Sequence, residues 1–170
     1  MRKFALTAIA AAFAVTAFTG GAAKAAGDAP VPEAQDWSWQ GLFGTYDRAQ
    51  LQRGFQVYKN VCAGCHSLRF IAFRNLEGIG FNEEQIKAIA AEYDIEDGPN
   101  DDGDMFTRPG IPADYFPSPF PNEKAAAASN GGAVPPDLSL MNKARVNGPD
   151  YVFGLLTGYE EEAPEGFDLA

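Results

Sequence analysis

Cysteine, histidine and positive charge are all scarce in this chain, and each shortage excludes something. Two cysteines and one histidine among 170 residues cannot build a disulfide framework. A structural zinc site needs four Cys or His ligands, and only three such residues exist here. With 13 Lys and Arg against 23 Asp and Glu, the net charge is -10, which argues against binding to nucleic acid phosphates. Alternating apolar residues never run long enough to suggest a sheet, and no internal repeat appears. What remains is a sequence of ordinary globular composition, long enough for one modest domain.

The first 25 residues read as a secretory signal peptide. Arg2 and Lys3 supply its positive start, Phe4 to Phe18 its apolar stretch, and Ala23-Lys24-Ala25 its cleavage site. Cleavage after Ala25 leaves 10 basic and 23 acidic residues, a charge of -13, in a protein exported from the cytoplasm. Residues 26–46 form a linker and arm. The arm holds Trp37, Trp39, Leu42, Phe43 and Tyr46 and is expected to pack on the domain rather than hang free. Residues 47–170 make up the main domain.

Helical signals dominate that domain. Asp47 can cap a helix, with Gln50 in the return position, and Leu51, Phe55, Tyr58 and Val61 or Cys62 share one face. Asn82 and Gln85 repeat the capping pattern before a helix over 83–93, with Ile86, Ile89, Ala90 and Tyr93 as its buried stripe. Residues 94–104 read as an acidic loop, and 108–121 as an irregular, packed segment rich in proline and aromatics. A short Ala-rich helix over 122–129 ends at Asn130-Gly131-Gly132, and 137–145 suggests another turn or two. Pro149 opens a last helix that should bury Val152, Leu155 and Leu156 and end at a left-handed Gly158. The fold class expected is mainly α, with long Pro- and Gly-rich loops.

The only two cysteines and the only histidine fall together, in Cys62-Ala63-Gly64-Cys65-His66. This is the pattern of covalent haem c attachment, with one haem per chain. Two thiols at this spacing add to the two vinyl groups, and the adjacent His66 presents a nitrogen to the iron. A thioredoxin-like pair is disfavoured, because those cysteines follow a strand and open a helix, whereas here an amphipathic helix precedes them. The sixth iron ligand stays open. After export only Met105 and Met141 could serve; Met105 reads as a packing residue and Met141 as a core residue.

Further motifs carry a family resemblance. The segment from Arg53-Gly54-Phe55-Gln56-Val57-Tyr58 through His66 resembles the haem segment of the cytochrome c1 family, the haem-c subunit of the quinol–cytochrome c reductase (bc1) complex. So do Arg74-Asn75-Leu76, Phe116-Pro117 to Pro121-Asn122 with Asn130-Gly131, Pro135-Pro136-Asp137-Leu138-Ser139, and residues 150–159. Together they span about residues 37–159. The resemblance implies a class I cytochrome c-like haem domain that takes an electron from the Rieske iron–sulfur protein and passes it to a soluble cytochrome c. Cytochrome b would be its neighbour, and the periplasmic face of the bacterial inner membrane its location. It also implies that Arg145 pairs with a haem propionate near Tyr151, and that the Pro-rich segments wrap the haem crevice. In that family the axial methionine, a further core helix and a membrane anchor follow the segment matched by Leu155-Leu156-Thr157-Gly158-Tyr159. The chain is therefore expected to be an N-terminal fragment. Two other functions remain in view: a free periplasmic electron shuttle, and a five-coordinate haem enzyme or gas sensor.

Overall fold

The computed structural model describes residues 31–162. The expected signal peptide lies outside the described residues. Within them the fold is mostly helical, in chain order α1 (Arg48–Asn60), a 3-10 turn (Cys62–Gly64), a second 3-10 segment (Phe73–Ile79), α2 (Glu83–Ala90), strands β1 (Asp94–Asp97) and β2 (Phe106–Pro109), α3 (Glu123–Ser129), α4 (Met141–Ala144) and α5 (Gly148–Thr157). Among the described residues no helix is long and apolar enough to cross a membrane.

Local chemistry explains the helix starts. The Asp47 carboxylate accepts from the backbone N–H of Ala49 and Gln50, satisfying two donors that the first turn of α1 leaves free. Asn82 and Gln85 form a reciprocal capping box on α2, and the Asn122 side chain accepts from Ala125 N to cap α3. Helix α2 is shorter than its periodicity suggests, ending at Ala90.

The core is small and aromatic. Phe73, Leu76, Ile86, Ala90 and Phe116 are buried together, with Phe55, Leu68, Ile71, Ile79, Phe81, Ile89 and Tyr93 packed around them. Phe116 is its hub, with ring centroids 4.3 Å from Phe73, 5.6 Å from Tyr93, 6.0 Å from Phe55 and 6.3 Å from Tyr58. The proline-rich segment delivers this ring by hydrogen-bonding to the chain around Phe73. Phe73 N donates to Asp114 O, Arg74 N to Pro112 O, and Phe116 N to Ile71 O.

Four expectations need correction. First, residues 94–109 are not merely a loop: β1 and β2 pair antiparallel, with Asp94 opposite Pro109 and Asp97 opposite Phe106. Pattern could not reveal this strand, because β1 carries a single apolar residue, Ile95, among acids. Arg108 holds the hairpin by pairing with Asp97 and, through both terminal nitrogens, with Asp114. Gly110 closes the base by donating to Tyr93 O; a Cβ there would lie 2.6 Å from Ala90 O. Second, Leu155 and Leu156 on α5 are 51% and 66% exposed, and only one flank of that helix meets the described chain. Third, Gly158 is not left-handed (φ -93°); glycine suits it because a Cβ would lie 2.7 Å from Gly154 O. Met105 is also exposed rather than packed.

The arm lies along α5. Trp37 stacks on Trp39 at 4.7 Å, Trp39 stacks on Tyr46 at 5.1 Å, and Trp37 meets Phe153 edge-on at 5.8 Å. The Trp37 indole N–H and Gln35 N both donate to Asp150 Oδ1, at 2.6 and 3.1 Å. Leu42 and Phe43, at the tip of the arm, are fully open to solvent.

Candidate functional site

Helix α1 delivers the cysteines. It ends at Asn60 with Val61 as its cap, and the chain tightens at once into the 3-10 turn Cys62–Gly64, where Cys65 N and His66 N both donate to Cys62 O at 3.1 and 2.8 Å. The turn sets both thiols and the imidazole on consecutive corners of one short segment. Both thiols are free, Cys65 exposed and Cys62 half-buried.

What orients His66 comes from 70 residues further along. Its Nδ1 lies 2.8 Å from the carbonyl oxygen of Pro136. A carbonyl can only accept, so Nδ1 carries the proton and Nε2 keeps its lone pair for a ligand. The loop bearing Pro136 is tied to the residues after His66 by four more hydrogen bonds. Ser67 Oγ and Arg69 N donate to Asp137 Oδ2 at 2.7 and 2.9 Å, Leu138 N donates to Ser67 O at 2.9 Å, and Phe70 N donates to Ser139 Oγ at 3.1 Å. On the other side Tyr58 Oη donates to His66 O at 3.0 Å, joining α1 to the same segment.

Two ionisable groups respond to this packing. Burial, helped by Tyr93, Asp137 and Cys62 nearby, pushes the Tyr58 hydroxyl up to about 12. Tyr58 therefore stays a protonated donor at neutral pH. Burial also pushes the Asp137 carboxyl up, but hydrogen bonds from Ser67, Ser139 and the Arg69 and Ser139 backbone outweigh it. The net result lies below the ordinary aspartate value, so Asp137 is ionised at neutral pH.

An open cavity of about 400 Å³ lies against Cys65. Both proline-rich segments contribute to its wall, through residues 118–121 and 134–137, with Arg69 and Asn122 among the polar groups. Cys62 and His66 do not line it. Among the described residues no three His, Cys, Asp or Glu side chains gather as a metal cluster.

The remaining expected site residues form a second group. Arg145 follows α4 and is exposed, with its guanidinium carbon 5.9 Å from the centre of the Tyr151 ring on α5. Arg145 and Tyr151 thus meet each other, but among the described residues no hydrogen bond or ion pair joins them to residues 62–66. Met141, the first residue of α4, is half-buried. Sequence reasoning overlooked Tyr58 as a tether and Asp137 as a bridge. Part of the second was visible, since an Asp two residues before Ser139 can accept from its backbone N–H, which it does at 2.9 Å.

A model described as the Cytochrome C1 family matches residues 37–170. The chain belongs to the cytochrome c1 family. Within or beside that family it is similar to "Cytochrome c1" of Rhodospirillum rubrum, at 58% identity over 85% of the chain and 53% of the relative. It is also similar to "Cytochrome b/c1" of Bradyrhizobium diazoefficiens, at 54% identity over 81% of the chain and 23% of the relative. The plant relative "Cytochrome c1-2, heme protein, mitochondrial" of Solanum tuberosum is 56% identical over 78% of the chain and 51% of its own length. Apart from the longer b/c1 protein, the chain spans about half the length of these curated relatives.

Proposed function

We propose that this chain carries one covalent haem c and serves as the electron-transfer haem subunit of a bc1 complex. It accepts an electron from the Rieske iron–sulfur protein and passes it to a soluble cytochrome c. Cytochrome b is its neighbour, at the periplasmic face of the bacterial inner membrane, and the domain is of the class I cytochrome c type. When bound, the haem supplies one-electron chemistry at its iron, and no substrate bond changes in this chain. Family membership supports the reading, as do the printed names of relatives that are a haem protein and a joined cytochrome b/c1. The joined name favours a complex subunit over a free shuttle.

The residues present fit the group. Cys62 and Cys65 are free thiols on one turn, suited to two thioether bonds, and His66 offers Nε2 to iron while Nδ1 is held by Pro136 O. That hydrogen bond is the observation on which the assignment chiefly rests. It fixes the tautomer and the ring orientation, and it makes the free nitrogen a better donor. The proline-rich segments form a wall beside Cys65, along one side of the site. Arg145, stacked near Tyr151, takes a haem propionate, for which its planar fork is suited.

The test is maturation of the chain in a periplasm equipped for covalent haem attachment. The expected product keeps its pigment in acidified acetone and gains the mass of one haem, and the double variant Cys62→Ala, Cys65→Ala does neither. Release of all pigment by the unaltered chain, or an unchanged mass, refutes the reading.

A further inference from the structure

We propose that Asp137 is a positioning residue for His66, acting through the Pro136 carbonyl that receives the imidazole proton. The proposal deepens the haem-bearing reading and rests on it. Asp137 begins at the far side of the same peptide unit whose oxygen meets His66 Nδ1 at 2.8 Å. Its carboxylate is only 11% exposed and both of its oxygens are used. Oδ1 accepts from Ser139 N and so shapes its own loop. Oδ2 accepts from Ser67 Oγ and Arg69 N, one and three residues past His66. One side chain therefore clasps the two strands of chain that must stay in register for the ring to point one way.

Hydrogen bonds to an ionised acceptor are about twice as strong as neutral ones. The charged clasp is thus the stiffest of the ties between residues 66–70 and 136–139. The two other ties besides the His66 bond, Leu138 N to Ser67 O and Phe70 N to Ser139 Oγ, hold the segments together but do not include the Pro136–Asp137 peptide. Arg69 adds little as a charge partner, since its Nε is 3.9 Å from Oδ2 and its side chain is exposed.

The alternative is a general staple with no bearing on the ring, and the two differ in what they move. The assay is hydrogen exchange of the His66 Nδ1 proton, followed by NMR in the haem-loaded ferrous protein, beside a thermal melt. Asp137→Ala is expected to speed that exchange on the order of tenfold, the effect of losing charge-assisted hydrogen bonds. Ser67→Ala, which keeps the carboxylate, should move it the same way by a smaller factor. Asp114→Ala, which breaks the distant clasp on Arg108, should lower the melting temperature and leave the ring proton alone. Wild-type exchange in Asp137→Ala, or equal acceleration in Asp114→Ala, overturns the proposal. Should Asp137→Ala fail to accumulate, unchanged exchange in Ser67→Ala overturns it instead. Failure of every version, wild type included, to load haem overturns the parent reading and this one together. Loading with unaltered exchange overturns this one alone.

Discussion

Phe116 is the residue whose loss should be felt furthest. It is 3% exposed and touches aromatic rings from α1, the Phe73–Ile79 segment and the chain after α2. Cutting a buried phenylalanine to alanine removes its transfer free energy and leaves a cavity, about 3–5 kcal/mol in all. Aromatic pairs add about 0.5–1.5 kcal/mol each beyond area burial, and Phe116 makes four, so Phe116→Ala should fall near the top of that range. A core with five buried members has little else to collapse into the hole. Since domains hold only about 5–15 kcal/mol in total, a third or more of the stability should vanish. Urea titration of the haem-loaded protein, read by far-ultraviolet circular dichroism, measures this as a lowered midpoint with an unchanged slope. Phe116→Leu should cost about half as much, because most of the volume is kept. Phe106→Ala on β2, where the ring is 43% exposed, should cost less than about 1 kcal/mol. A Phe116→Ala protein within about 1 kcal/mol of wild type, or a Phe106→Ala protein equally damaged, refutes the assignment of the hub.

Two further outcomes follow from the hairpin and the caps. Hydrogen bonds from Arg108 hold the Asp97 and Asp114 carboxyls below their ordinary values. Their stabilisation is therefore complete above the ordinary aspartate range, near pH 4, and is lost as pH falls through the lowered folded values. Acid titration of Arg108→Gln should show a shallower fall in stability across that window than wild type; equal slopes would contradict the pairing. Asn82→Ala should cost about 1 kcal/mol by removing the cap of α2, read as a lower urea midpoint, and a neutral result would show that the capping box contributes nothing.

How far the sequence spoke depended on whether a feature was local. Caps at Asp47 and Asn82 and the faces of α1 and α2 are written within a few residues, and they were readable. The nearness of Cys62, Cys65 and His66 is likewise local, since five consecutive residues hold all three. The hairpin was not, since its cause is Arg108 reaching across to Asp97 and Asp114 rather than any alternation of apolar residues. Nor does periodicity name a partner: α5 has the pattern of a buried helix, yet Leu156 remains largely exposed. The tether from Tyr58 and the bridge at Asp137 escaped for the same reason, because their partners are chosen by the fold. The approach of Arg145 to Tyr151 was anticipated only through family resemblance.

The span between His66 and Pro136 also bears on the order in which the site folds. The turn that presents the two thiols needs only its own few residues, whereas the imidazole gains its aim only once the loop to Pro136, 70 residues on, has closed. Closing so long a loop is entropically costly and slow beside forming a helical turn. The Cys62–Gly64 turn is therefore set early and the aim of the imidazole late, so a change that slows closure of that loop leaves the turn formed while His66 is still free to rotate.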